Sequence, residues 1–391
     1  MKKLIRITTV PESLNKLLDG QLSFMKQYYE VIAVSSGGEQ LELVKTRQGV
    51  RVHSVEMSRK ITPLNDLVAL FKLLIFLLKE KPFIVHTHTP KAGVIGITAA
   101  WLARVPVRLH TVAGLPLLEE TGLKRMMLNI IEKFTYAIAT KVYPNSHGLQ
   151  KIILQNHYTD PGKINVILNG SSNGINTREF SDNSVDPGSL QDLKKNLVLS
   201  DLDFIYCFIG RMVKDKGINE LVEAFVQLYS ENQKTRLILV GPFENDLDPL
   251  LPSTTKSICS HPGIRFIGFI NDVRPYLAIS QVLVFPSYRE GFPNVVMQAG
   301  AMGVPCVVSD INGCNEIIDD GINGIIIPVK NSNAVLKAMR EMINQPEQRL
   351  QMAKVSREMI VNRYDQHEVW RAILQQYKEF EKDSVVVSQD C

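Results

Sequence analysis

A guanidinium, an ammonium and a carboxylate, spaced along the second half of the chain, have the chemistry to hold a phosphorylated sugar. Gly210-Arg211-Met212-Val213-Lys214-Asp215-Lys216-Gly217 lies between an apolar run and a helix-compatible segment. Arg211 can grip phosphate oxygens in a planar fork, and Lys216 can act as a point charge. A helix beginning after Gly217 adds free N–H groups at the same place. Alone, this segment reads equally as a solvated basic turn. Residues 286–305 shift that balance. After Val282-Leu283-Val284-Phe285 comes a kinked loop with one carboxylate, Glu290, and the chain-bending Gly291 and Pro293; a helix-compatible stretch then runs from Asn294 to Met302. One carboxylate for hydroxyls and two cations for phosphates, each just past a strand's carboxyl end, form the pattern expected for a nucleotide sugar.

The elements that must carry these loops are legible as an alternation. Apolar runs at 4–8, 29–34, 50–55, 83–88, 107–112, 141–143 and 164–168 read as strands. Between and after them, helical patterns are predicted over 21–27, 64–79, 92–103, 123–139 and 146–156. The rhythm restarts with strands at 204–210, 237–241, 264–268, 282–285, 306–309 and 324–327, and helices at 333–343, 346–361 and 368–380 finish it. Strand and helix alternating in this way predict an α/β chain of doubly wound parallel sheets. The polar, turn-rich residues 181–192 read as a linker. The expected domains are therefore 1–185 and 195–365, with a last helix over 366–382 crossing back to the first domain and a frayed tail from 381 to 391.

Composition narrows the function classes. With 391 residues, 45% hydrophobic and 21% charged, the chain is long enough for two sizeable cores. Its net charge of +4 is too small to argue for nucleic acid, and none is expected as a partner. The charge is uneven: residues 1–190 hold 23 Lys and Arg against 15 Asp and Glu. That basic half suits anionic phosphates or an anionic membrane surface, and simple solvation explains it as well. The apolar stretch at 67–78 is too short to span a bilayer, and the basic start, Met1-Lys2-Lys3, is followed by too short an apolar run for a signal peptide. A cytosolic protein, with contact at the inner face of the membrane as an option, is the expectation; the five cysteines are expected to be free thiols.

In the first half Gly20, His88, Lys91 and His110 are candidates on the acceptor side. Gly20 precedes a helix start, where N–H groups can meet an anion. His86 and His88 share one face of a strand, which permits a metal pair, but no third ligand stands out, so no metal is expected. They read as cleft-lining or hydrogen-bonded core groups. Lys91 is placed to meet an acceptor phosphate or to remain a surface lysine. His110 completes the set.

The segments Gly210-Arg211 to Lys216-Gly217, Ser287 to Asn294, and Asp310-Ile311-Asn312-Gly313-Cys314-Asn315-Glu316 resemble those of retaining glycosyltransferases of family 4. His86-Thr87-His88-Thr89-Pro90-Lys91-Ala92-Gly93 and Asn169-Gly170 resemble the subgroup that builds cell-surface polysaccharides. The resemblance implies a GT-B fold, two Rossmann-like domains facing across a cleft. It implies a nucleotide-sugar donor, a UDP-sugar in first place, bound by Gly210, Arg211, Lys216, Glu290, Gly291, Phe292, Pro293, Asn294 and Gln298, with Arg211, Lys216 and Glu290 in the catalytic role. The acceptor would be a glycan or a polyprenyl-diphosphate-linked sugar. No cofactor is implied, and no divalent metal, because the two cations neutralise the leaving group.

Two positions depart from the family pattern. The second glutamate of the family's pair falls on Gln298, which offers the ribose a carbonyl acceptor without charge assistance. The family's histidine falls on Ala113, and His110, three residues earlier on a strand, points to the other face. A UDP-sugar 2-epimerase of the same fold and a non-catalytic nucleotide-sugar-binding subunit are the alternatives. The first would convert a UDP-sugar without an acceptor; the second would bind it without transfer.

Overall fold

The computed structural model describes residues 1–58, 61–115, 117, 121–244 and 248–389. The chain divides into two compact units, Met1–Gly174 with Gln366–Cys391, and Ile175–Asp365.

The first unit runs β1 (Lys3–Ile7), α1 (Pro11–Leu17), α2 (Gln21–Met25), β2 (Glu30–Ser35), α3 (Glu39–Gln48), β3 (Arg51–Ser54), α4 (Pro63–Glu80), β4 (Ile84–His88), α5 (Pro90–Leu102), β5 (Val107–Val112), α6 (Gly122–Ile138), β6 (Lys141–Pro144) and α7 (His147–Gln155). The second runs α8 (Pro187–Asn196), β7 (Phe204–Ile209), α9 (Ile218–Glu231), β8 (Thr235–Val240), α10 (Pro252–Ser260), β9 (Ile264–Gly268), α11 (Arg274–Ala278), β10 (Val282–Phe285), α12 (Asn294–Ala301), β11 (Cys306–Ser309), α13 (Cys314–Ile317), β12 (Gly324–Ile327), α14 (Ser332–Asn344) and α15 (Pro346–Tyr364). The last helix, α16 (Gln366–Gln389), belongs to the first unit.

Each unit holds one six-stranded sheet, ordered β3-β2-β1-β4-β5-β6 and β12-β11-β10-β7-β8-β9, with parallel pairing throughout. Both are the same doubly wound order, because chain order reverses at β1/β4 in one and at β7/β10 in the other. At such a switch point the flanking loops diverge to opposite faces and leave room for a ligand. Helices cover both faces, so the central strands are buried on both sides. Leu283, Val284, Val307 and Cys306 are fully buried, and each large apolar side chain of this kind stabilises by roughly 1.5–3 kcal/mol. In the first unit one apolar layer joins β1 and β2 to α1, α2 and α16, and a second joins the opposite face to α4 and α5.

Four expectations are corrected. The supposed linker at 181–192 includes most of a helix, α8: Asp186 caps it by accepting from Ser189 N at 2.9 Å, and Pro187 fits its first turn. The unit boundary lies earlier, between Gly174 and Ile175. Residues 164–168 form no strand; Ile164 makes a single bridge to Val142, and Leu168 already turns with φ at 51°. The backbone of α16 stays helical to Gln389, through most of the tail expected to fray. Cys207, Cys259, Cys306 and Cys314 are free thiols; Cys391 lies outside the described residues.

Candidate functional site

In the second unit the loops after β7 and β10, the two switch-point strands, are laced together. Tyr288 N donates to Asp215 O at 2.8 Å, and the Arg289 guanidinium reaches Asp215 Oδ2 at 2.7 Å. Gly217 permits this approach: its φ is +69°, and a Cβ there would lie 2.1 Å from the Pro286 carbonyl oxygen. The lacing brings Lys216 Nζ to 2.5 Å from Glu290 Oε1, with Ser287 Oγ donating to the same oxygen at 3.2 Å. The two side chains are only 13% and 19% exposed, so their attraction is weakly screened.

Arg211 takes another direction. Its Nη1 meets Glu244 Oε2 at 2.6 Å on the β8 side, and the pair is 44% and 31% exposed. The loop after β8 is itself tied to the Arg211–Lys216 segment, since Met212 N donates to Pro242 O and Asp215 N donates to Asp248 Oδ2 at 2.7 Å. Both cations that could receive a diphosphate are thus held by carboxylates in the free protein. Gly210, at the end of β7, donates to Val240 O and lies under Gly241, whose added Cβ would strike its carbonyl at 1.8 Å.

The loop after β11 supports the far side. Asn312 Nδ2 donates to Gly291 O at 2.8 Å, and Gly313 packs where a Cβ would meet that same oxygen at 2.5 Å. Phe292 is buried edge-on against Tyr364, Pro293 caps α12, and Asn294 opens the helix, exposed. Gln298 follows one turn later on the same face of α12 and is half-buried. Cys314 lies behind the Lys216–Glu290 pair; burial first, then the Glu290 charge, pushes its thiol far above the usual range and keeps it protonated.

The first-unit candidates resolve differently. Gly20 has φ +73°, and an added Cβ would lie 2.6 Å from the Trp370 ring, so the position serves the packing of α16; the following helix is five residues long. Lys91 is 12% exposed and bonded to Asp66 at 2.7 Å, which ties α5 to α4. His110 donates to or accepts from Thr87 Oγ1 at 2.8 Å beneath α5, where Gly93 leaves room for its ring. Its burial lowers its pKa to about 4. His86 and His88 do share a face, with ring centroids 4.4 Å apart. Three of their four ring nitrogens are engaged: both of His86, with Tyr377 OH and Thr111 Oγ1, and Nε2 of His88, with Arg6. A guanidinium against the His88 lone pair disfavours a cation there. Among the described residues no group of three or more His, Cys, Asp or Glu is placed to hold a metal ion.

Sequence reasoning passed over Glu244, Asp215, Asn312 and Arg6. Arg6 was visible as a charge inside the apolar run Leu4-Ile5-Arg6-Ile7; the others act through partners distant in the chain.

Comparison with known proteins follows this division. Residues 191–359 match the family model "Glycosyl transferases group 1" and residues 26–170 the "Glycosyl transferase 4-like domain". The capsular polysaccharide biosynthesis glycosyltransferase CapM of Staphylococcus aureus is 32% identical over 384 residues, 98% of each chain. An Escherichia coli UDP-Gal:alpha-D-GlcNAc-diphosphoundecaprenol alpha-1,3-galactosyltransferase is 29% identical over 313 residues, 79% of this chain and 78% of that one. Among solved structures, Anabaena HepE in complex with UDP and glucose superposes with a TM-score of 0.81 at 16% identity, covering 97% of this chain and 100% of that one.

Proposed function

The chain belongs to the GT-B glycosyltransferases of family 4, among those that build capsular and other polysaccharides, and from that premise we propose a UDP-sugar donor, a lipid-linked or saccharide acceptor, and transfer with retention of anomeric configuration. The observation that carries the reading is the Lys216–Glu290 pair at the β7/β10 switch point, with Arg211 on the adjoining loop. The donor diphosphate takes Arg211 and Lys216 from their carboxylates. Glu290, released, accepts hydrogen bonds from the sugar's hydroxyls, and the backbone of residues 291–294 lines sugar and phosphate. Gln298, one turn beyond Asn294, offers its carbonyl to the ribose. The bond from the anomeric carbon to the diphosphate oxygen breaks, and the bond to the acceptor oxygen forms on the same face. The acceptor's proton passes to the leaving diphosphate, whose charge the two cations stabilise without a divalent ion. No dedicated base is then needed, which accommodates Ala113 and a His110 buried beneath α5.

The acceptor belongs to the first unit, and the names of the relatives support a lipid diphosphate on it: the Escherichia coli enzyme's acceptor is a GlcNAc-diphosphoundecaprenol. Such an acceptor requires a cytoplasmic protein working at the membrane surface. No described helix is long and apolar enough to cross a membrane. Surface contact is supported instead by Leu64, Phe71 and Ile75 of α4 and Leu123, Met126 and Ile130 of α6, all more than half exposed, with Lys72, Lys124 and Lys133 alongside.

The test is UDP-sugar binding and turnover by the intact chain, with Arg211→Ala and Glu290→Ala beside it. Loss of donor binding in the first and of turnover in the second is expected, with activity retained in EDTA. Full donor binding and turnover in both variants would place the site elsewhere.

A further inference from the structure

The first sheet has its own switch point at β1/β4, and its polar groups are unevenly satisfied. Arg6, fully buried in β1, donates from Nε at 3.0 Å and from Nη2 at 2.8 Å to Nε2 of His88 at the end of β4. A guanidinium can only donate, so Nε2 carries the lone pair. Burial, and next the Arg6 cation, hold the His88 pKa well below its usual value, so the ring is neutral and its proton sits on Nδ1. That N–H is buried and has no partner. Buried donors are almost always satisfied, and one left over calls for a ligand or an ordered water.

Two further side-chain atoms in this part of the unit share the condition. Asn145 Oδ1, just past the end of β6, and Ser172 Oγ are also buried without a partner. They belong to one connected framework: Ser171 N donates to Asn145 O at 2.7 Å, Gln21 Nε2 donates to Ser172 O at 3.2 Å, and Gln21 Oε1 accepts from Arg6 Nη2. The same mark appears in the second unit at Asp215 Oδ1, in the loop after β7, and also at Glu220 Oε2, Arg236 Nε and Ser309 Oγ. Directly after His88, Thr89 holds a left-handed φ of 82°, a strained conformation for a β-branched residue.

We propose that His88 is an acceptor-binding residue whose Nδ1–H, fixed in that tautomer by Arg6, donates to a sugar hydroxyl or phosphate oxygen of the acceptor, with Asn145 and Ser172 supplying adjoining polar contacts. This rests on the reading that the first unit receives the acceptor. Arg6 is then a positioning residue: it touches no substrate and sets which edge of the imidazole carries the proton.

Two substitutions separate the edges of the ring. In His88→Gln the amide oxygen can stand where Nε2 was and accept from Arg6, leaving nothing at Nδ1. In His88→Asn the amide nitrogen can stand at the Nδ1 position while Arg6 loses its acceptor. The probe is N-acetylglucosamine joined through a diphosphate to a decyl chain, with methyl N-acetylglucosaminide and inorganic pyrophosphate in separate arms to tell sugar from phosphate. Affinity for the decyl probe should fall about tenfold in His88→Gln, the size of one lost hydrogen bond, and stay within about threefold in His88→Asn. UDP affinity should be retained in both, and a calorimetric melting profile like the wild type's shows that the first unit, which carries His88, stays folded. In the wild-type chain labelled with ¹⁵N-histidine, the His88 Nδ1–H resonance should move on adding the decyl probe and one of the two partial ligands. Equal losses in both variants, or none in either, would overturn the proposal, as would a resonance that ignores all three probes and so reports a resident water only. Failure of the donor reading is distinct, because it would show as UDP binding retained in Arg211→Ala.

Discussion

Replacing Glu244 with glutamine should tighten donor binding, and the structure sets the size of the effect. Arg211 and Glu244 meet at 2.6 Å, but the pair is 44% and 31% exposed, which puts it in the class of solvent-screened ion pairs worth about 0.2–1 kcal/mol. If the donor diphosphate takes the guanidinium, that energy is lost on binding in the wild type and is not lost in Glu244→Gln. UDP should therefore bind up to about fivefold more tightly to the variant. Removing a negative charge beside an incoming diphosphate acts in the same direction. The gain should shrink with salt, since the screening length falls from about 10 Å at 0.1 M to about 3 Å at 1 M. Titration calorimetry with UDP at both ionic strengths measures this directly. Arg211→Ala supplies the opposite limit, a loss of about 1.5–3 kcal/mol for a charge-assisted contact, or roughly 10- to 150-fold. Weaker or unchanged UDP binding in Glu244→Gln at low salt, with Arg211→Ala impaired, would refute the reasoning. Arg211 would then hold donor and Glu244 together, and the carboxylate would be part of the bound site.

Other outcomes follow from particular contacts. Gly313→Ala forces a Cβ to 2.5 Å from the Gly291 carbonyl oxygen at a φ of +78°, and should destabilise the second unit by about 1–3 kcal/mol and weaken UDP binding, as calorimetric melting and titration would record. Leu123→Glu with Ile130→Glu, on the exposed face of α6, should abolish sedimentation with phosphatidylglycerol vesicles while leaving UDP affinity alone; unchanged sedimentation would remove that face from the membrane reading. His86, His88 and His110 are buried, with folded-state pKa values below the ordinary one, His110 at about 4. The stability they contribute is complete above the unfolded-state pKa near 6.5 and is lost as pH falls from there toward 4, by up to about 1.4 kcal/mol per pH unit for each group. Urea unfolding should show a lower midpoint at pH 5 than at pH 7, and His110→Gln should flatten that dependence.

The two switch points explain why the candidate donor residues were legible in the sequence as a set, whereas on the acceptor side His88 was legible only as a single candidate and its partner Arg6 was not. Around β7 and β10 the candidate residues lie in loops, and loops announce themselves: Gly210, Gly217, Gly291 and Pro293 punctuate the chain, so Arg211, Lys216 and Glu290 stand out as charges at strand ends. What stayed hidden was their pairing, because the separation of 74 residues between Lys216 and Glu290, or 33 between Arg211 and Glu244, leaves no local pattern. The short helices α1, α10, α11 and α13 were missed for a related reason: five to nine residues hold too few turns for a period to show, and α13 has only four. Around β1 and β4 the polar residues sit within the strands themselves. A strand buried on both faces reads as a continuous apolar run, so Arg6 passes for an interruption and His88 for the end of a pattern. Their meaning depends on α16, since Arg6 Nη1 and His86 Nδ1 both reach Tyr377, 371 and 291 residues away. A fully buried cation inside a parallel strand is costly enough that some distant group must answer it. The sequence of β1 therefore did carry a signal, an obligation to find polar partners, whose identity only the packing of a helix from the far end of the chain could supply.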